Sequence, residues 1–376
     1  MGNIAKSIEY FFTRRYNAGN GDDTIKAYGF GGTIKAYDGN DNIFVGGFYT
    51  KVYTGEGDDK VTGGSAVLDI DDTTGTLTVV AGAGLAKIIK KGAGDIRYAG
   101  AAGALDLEHR GDGNVYLGSV AAYAKIRHVG ARGDVLFIGS GFYNNIYRRG
   151  KSGTVRFRGA GAGNKVRVHS QHRAHIDFRG SGASNYVRST GETSNVIFRG
   201  SGLANEVYND AKYGNLTFSG RGAANIVRRN GRHGIIRFSG DGLANIVSGH
   251  FSEDRNWNRI EFIGGGGGNI VTLTGKRGNI KFAGVGLANV ITHSAKYGNI
   301  DFVGVGAANV LTLTGKQGDI LFVGAGAANV VTHTANYGNI DFVGAGAANV
   351  LTLTGEQGDI LFVGAGKANV VTHTAR

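Results

Sequence analysis

The sequence predicts an all-β fold: a right-handed parallel β-roll or β-solenoid of about 17–18 coils, built from repeats of roughly 18–20 residues behind a short N-terminal cap. Three observations carry this expectation. Two residue types recur at a fixed period, the chain is rich in glycine yet free of proline, and apolar residues alternate with polar ones inside each repeat.

The period comes first. Phe stands at 137, 157, 178, 198, 218, 238, 262 and 282, then as Phe302, Phe322, Phe342 and Phe362. Seven residues after each comes Asn, from Asn144 through Asn289 to Asn309, Asn329, Asn349 and Asn369. The one large break is an insertion between Ser252 and Trp257, expected to bulge from a corner. Within a unit such as 338–349, Ile340 and Phe342 alternate with Asp341 and Val343, the period of two that marks a strand. Gly344-Ala345-Gly346 then reads as a turn, and Asn349 opens a second strand. Stacked coils set each residue over its copy about 4.8 Å away, so Phe is expected to form an internal stack and Asn an amide ladder at a corner.

Composition supports a continuous sheet. There are 68 Gly and no Pro, and a proline would remove a ladder donor from every stack it entered. The 41% hydrophobic content supplies a core. No Cys is present, which excludes disulfides and thiolate metal sites. The N-terminus lacks a long apolar core and a small-residue cleavage site, so no Sec signal peptide is expected, and no apolar run is long enough for a transmembrane helix. By these patterns residues 1–18 are the cap, 19–63 acidic-turn coils, 64–136 degenerate coils and 137–376 regular repeats with the insertion near 250–259. The last coil, after Asn369, carries no cap, so a continuation is expected.

The acidic-turn coils carry a candidate metal site. Gly21-x-Asp23-x-Ile25, Gly39-x-Asp41-x-Ile43 and Gly57-x-Asp59-x-Val61 repeat every 18 residues, with Ile34 and Val52 between them. This pattern is similar to the calcium-binding nonapeptide of RTX β-rolls, in which carboxylates and turn carbonyls supply the oxygen ligands a hard cation needs. Calcium at Asp23, Asp41 and Asp59 with Gly21, Gly39 and Gly57 is one reading. Carboxylates that only satisfy local backbone donors are the other.

The opening SIEYFFTRRYNAGNGDDTI, then GFGGTIKAY, VYTGEGDDKVTGGSA and DDTTGTL, followed by the F-x-G-x-G-x-x-N units, resembles the N-terminal repeat region of MARTX toxins across essentially the whole chain. These are multifunctional autoprocessing repeats-in-toxin proteins of Gram-negative bacteria. The resemblance implies a secreted, extracellular protein that acts at the host cell membrane by association, pore formation or effector delivery. The chain departs from the full pattern: effector domains, a cysteine protease and a C-terminal export signal are all missing.

Outward positions change along the chain. The residue after Phe passes from Arg158, Arg179 and Arg199 to Val303, Val323, Val343 and Val363. The residue after Asn passes from Lys165 and Glu206 to Val310, Val330, Val350 and Val370. Both rows are expected to form apolar stripes from about Ile263 onward, and contiguous apolar surface implies a partner. Lipid, a second copy or a continuation of the solenoid would each fit, unless these rows in fact point inward. The arginines, part of a net charge of +12, suit either anionic headgroups or a solvated face that prevents edge pairing. Thr312, Thr332, Thr352 and Thr372 open T-x-T pairs of the kind seen on ice-binding solenoids, a remote alternative. No triad order or paired carboxylates stand out, and every G-x-G is a periodic turn. The expectation is a non-catalytic protein with no small-molecule substrate and no nucleic-acid partner, the alternative to a membrane role being a structural, adhesive or self-assembling solenoid.

Overall fold

The computed structural model describes residues 8–11, 15–82, 84–101, 103–119 and 123–374. They form an all-β parallel β-solenoid of about 18 turns, without a helix among them. Two compact units divide it, Met1–Tyr186 and Val187–Arg376. Of the expected cap, residues 1–7 and 12–14 lie outside the described residues. The strands Ile8–Phe11 and Arg15–Asn17 pair in parallel with Thr24–Lys35.

In the second unit each regular coil has two strands. Ile340–Ala345 lies in parallel register on Ile320–Ala325, with Ile340 on Ile320 and Phe342 on Phe322. Val350–Leu353 lies on Val330–His333 in the same way. Alternation sends Ile340, Phe342, Leu351 and Leu353 into the core and leaves Asp341 and Val343 outside. The phenylalanine rings stack face to face along the coil interior. Centroids of Phe302 and Phe322 are 4.8 Å apart and those of Phe322 and Phe342 4.6 Å apart, with ring planes within 8° of parallel. In the first unit the same stack joins Phe137, Phe157 and Phe178.

The turn lies later than the glycines suggest. Gly344 and Ala345 still belong to the strand, and the chain reverses at Gly346–Ala348. Gly346 has φ 150°, and a Cβ there would sit 2.1 Å from the carbonyl oxygen of Gly326 one coil below. Close stacking therefore requires glycine at this point. The residue before each ladder asparagine is left-handed although it is rarely glycine: Ala308, Ala328 and Ala348 have φ between 56° and 58°. The backbone hydrogen bonds of that turn compensate, since Ala308 N–H donates to Ala327 O and Ala328 N–H to Ala347 O at 2.9 Å.

Candidate interaction surface and corner ladders

The ladder asparagines from Asn144 to Asn349 are buried at the corner that follows the Gly-x-Gly turn, and Asn369 in the last coil is half-buried. In each coil the side-chain amide of Asn309 donates to Asn329 Oδ1 at 3.0 Å and to Gly306 O at 3.0 Å, while its backbone N–H also reaches Asn329 Oδ1 at 3.2 Å. Asn329 and Asn349 repeat the pattern, and Asn349 passes it to Asn369. One side chain thus satisfies two donors and one carbonyl at a bend where the strand ladder is interrupted.

Asp23, Asp41 and Asp59 form an acidic version of this device at another corner of the first coils. Asp23 N–H donates to Asp41 Oδ1 at 2.8 Å, and Asp41 N–H to Asp59 Oδ1 at 2.9 Å. Asp59 lies in register with Leu77, and Leu77 with Ile96, so the carboxylates occupy an inward row that later coils fill with aliphatics. Asparagine brings its own donor to such a corner and aspartate does not. Asp41 Oδ2 and Asp59 Oδ2 are accordingly buried without a partner. Burial is the main cause that pushes the Asp41 carboxyl up to about 6 and the Asp59 carboxyl up to about 7, partly offset by the backbone donors. These orphaned oxygens are acceptors that a proton or a hard cation would satisfy. Among the described residues no group of three or more His, Cys, Asp or Glu is placed to hold a metal ion. A cation here would therefore draw the rest of its shell from backbone carbonyls and water. Gly21, Gly39 and Gly57 have φ from 133° to 138°, and a Cβ on Gly57 would lie 2.1 Å from Gly39 O. Gly39 and Gly57 are needed for the spacing of the coils whether or not an ion is bound, while a Cβ on Gly21 would meet nothing and only its φ favours glycine.

The outer rows differ from each other. After the buried Phe, Ile263, Val303, Val343 and Val363 are 40–60% exposed, and Val323 is half-buried. After the ladder Asn, Val310, Val330 and Val350 are only half-buried, and Val370 in the last coil is open. Two further exposed aliphatics at the strand ends, Val285 and Val305, belong to the same surface and were hidden in the Gly-x-Gly pattern. The row beside the valines alternates Asp301, Leu321, Asp341 and Leu361, so the apolar strip is notched by an acid in every second coil.

The arginine face is a laced surface. Arg158 lies in register with Arg179, whose guanidinium pairs with Asp177 on its own strand at 3.0 Å. Arg199, in the second unit, is exposed. Similar pairs join Arg127 and Arg110 to Glu108 and Arg237 to Glu261. Surface pairs of this kind contribute about 0–1 kcal/mol each, and they leave less free charge than the sequence count implies.

A row of ionisable side chains inside the first unit escaped the sequence reading. Asp72, Lys90, His109, His128 and Arg148 lie in register on five successive coils and all are buried. Lys90 forms a buried ion pair with Asp72, which also accepts the Thr54 hydroxyl at 2.5 Å. His109 and His128 stack with centroids 4.8 Å apart. A signal was present: Arg148 stands four residues after Asn144, the inward position that Leu313 and Leu353 occupy in later repeats.

The RtxA repeat profile matches residues 120–135, 139–156, 264–281, 284–301, 304–320, 324–341, 344–360 and 364–374. No curated protein and no solved structure matches the chain. RTX repeats as a class bind calcium and are typical of secreted bacterial proteins. The in-register coils, their glycine turns and the matched segments agree: the chain carries RtxA repeats in both of its units, the repeat type of the RTX superfamily.

Proposed function

We propose that this chain is a non-catalytic, toxin-type repeat region of an extracellular protein that works at a target-cell membrane through the outer face of its second unit. The observation that supports this most is the exposed aliphatic row from Ile263 through Val303 and Val343 to Val363, continued by Val285 and Val305. Soluble surfaces rarely keep such a strip without a partner. Asp301 and Asp341 beside it set the mode of contact, because a carboxylate is costly in hydrocarbon. The strip suits the interfacial layer or another protein surface better than the bilayer centre. The resemblance to MARTX repeat regions points the same way, and calcium held by Asp41 and Asp59 would tie the order of the first coils to an extracellular setting.

A self-assembling solenoid is the second reading, favoured by the same acid notches. The test replaces Val303, Val323, Val343 and Val363 with Asp and compares co-flotation with phosphatidylcholine–phosphatidylserine vesicles and sedimentation of the protein alone. The membrane reading expects flotation by the parent chain and at least a tenfold loss in the variant. Flotation that survives the substitutions, or a parent chain that never floats, overturns it. Loss of self-association by the variant, with no flotation by either protein, establishes the assembly reading instead.

A further inference from the structure

The stacked histidines of the first unit have no part in the outer surface. His109 and His128 are fully buried, in the strands Ala104–Arg110 and Tyr123–Val129. Each Nε2 sits 3.2 Å from a turn carbonyl, that of Gly92 and of Gly111 respectively. An imidazole donates to a carbonyl only from a protonated nitrogen, so Nε2 carries the hydrogen and Nδ1 is bare. Neither Nδ1 has a hydrogen-bond partner. A proton arriving there would find no acceptor.

The charged neighbours make that proton still less welcome. Along the row, Lys90 lies on one side of the pair and Arg148 on the other. The Lys90 charge is matched by Asp72. Arg148 donates to the carbonyls of Gly133 and Ser152 and leaves one guanidinium nitrogen unpaired. Asp95 and Asp112 act from the corner in the opposite sense. The strands that close the same coils present Tyr98, Leu117 and Phe137 to the interior, and none titrates near neutrality, since burial pushes the Tyr98 hydroxyl up to about 12. Two rings stacked 4.8 Å apart would carry like charges if both were protonated, between two further cations.

We propose that the His109–His128 pair is an acid-triggered release point: protonation of the two rings opens the coils that hold them, while coils with a single histidine set between leucines stay closed. His293 and His333 provide the comparison inside the same chain. Each bonds a turn carbonyl at 2.6 Å and, like the pair, leaves Nδ1 without a partner. The difference is in the row neighbours, which are Leu273, Leu313 and Leu353 rather than a second ring, a lysine and an arginine.

The direction follows from linkage. Burial, then nearby positive charge, holds His109 down at about 4 and His128 down at about 3, against 6.5 for an exposed ring. A depressed histidine leaves stability whole above 6.5 and removes it as pH falls toward the folded values. Each ring raises the opening equilibrium by up to about tenfold per pH unit in that window, so the pair gives roughly 500-fold between pH 7 and pH 5.

Hydrogen exchange of the full chain at pH 7 and pH 5, corrected for the intrinsic pH dependence of exchange, reads this directly. Peptides covering 104–129 should lose protection by more than a hundredfold, and those covering 290–333 by far less. His109→Leu with His128→Leu places in this row the residue that the later coils carry, and should abolish most of the acid response. His128→Asn is the second variant, since Asn209 holds the corresponding place in its coil, and it should halve the response on a logarithmic scale. The proposal is overturned if 104–129 keeps its protection at pH 5. It is equally overturned if the histidine-free variant loses protection as much as the parent.

Discussion

The interiors of the two units differ at one repeat position, four residues past the corner. In the first unit that position reads Asp72, Lys90, His109, His128 and Arg148, ending on Val168. In the second it reads Ser189, Asn209, Arg229 and Gly249, and only then Leu273, His293, Leu313, His333 and Leu353. Both rows are buried and both are held in the same parallel register. Coil geometry therefore does not demand a leucine there. It accepts side chains from Gly249 to Arg229, and a polar end buried there bonds a partner within the coils. From Leu273 onward the second unit fills the position with apolar packing and lone histidines bonded to turn carbonyls. Its earlier coils bury Arg229 there, donating to the carbonyls of Gly214, Ala211 and His233. The first stacks five ionisable groups in succession: Asp72 pairs with Lys90, and the two histidines and Arg148 bond backbone carbonyls. Its coils are expected to respond to pH more than those from Leu273 onward.

The largest expected break of this comparison is Lys90→Ala. It leaves Asp72 buried with no counter-charge, and removing one member of a buried pair costs about 3–5 kcal/mol. Replacing both, Asp72→Leu with Lys90→Leu, should restore most of that loss because it converts the pair to the second unit's chemistry. Urea unfolding of the single and double variants measures the difference. If the double variant is as unstable as the single one, the row does not tolerate apolar exchange and the comparison fails.

The next test sharpens the contrast inside the first unit. Asp41 and Asp59 have folded values raised to about 6 and about 7, above the ordinary 3.8. Stability from a raised carboxyl is whole below 3.8 and is lost as pH rises through those values, the reverse of the histidine pair. Without divalent cations, coils 19–63 should lose exchange protection between pH 4 and pH 7.5, up to about tenfold per pH unit for each carboxyl in its own window. Millimolar calcium should restore it. Asp41→Asn with Asp59→Asn should remove both the pH rise and the calcium effect, since the amide supplies its own donor. A calcium effect that persists in that variant would place the ion elsewhere.

The smallest effect concerns the left-handed alanines of the second unit. Gly268 occupies the same position before its ladder asparagine, with φ 69°. Ala328→Gly should relieve the left-handed strain and stabilise by up to about 1 kcal/mol, less whatever glycine adds to the entropy of the unfolded chain. The thermal midpoint reports it. A clear loss of stability would mean that the Ala328 methyl contributes to packing at the turn.

Much of the fold was legible because a solenoid writes its contacts into the sequence. Residues one period apart become neighbours, so Phe302 predicts its stack with Phe322, and Asn309 its bond to Asn329. Where the repeat weakens, as between 64 and 136, the period no longer marks the inward row, and Lys90 and His109 look like ordinary surface residues. The outer face was legible only in part. Val303 and Val343 follow a Phe and are exposed as alternation requires, but Val310 and Val330 follow an Asn and are half-buried.

By itself the sequence determined the strand alternation, the coil period and the residues that stack, because each depends on local covalent geometry and on a period that the chain repeats. Tertiary structure decided the rest: that the turn falls at Gly346–Ala348, that Arg179 spends its charge on Asp177, and that five ionisable side chains share one dry row. Those outcomes depend on where a side chain's end arrives once coils are stacked, and on how much water is left there. Neither distance nor dielectric is carried by the order of residues alone.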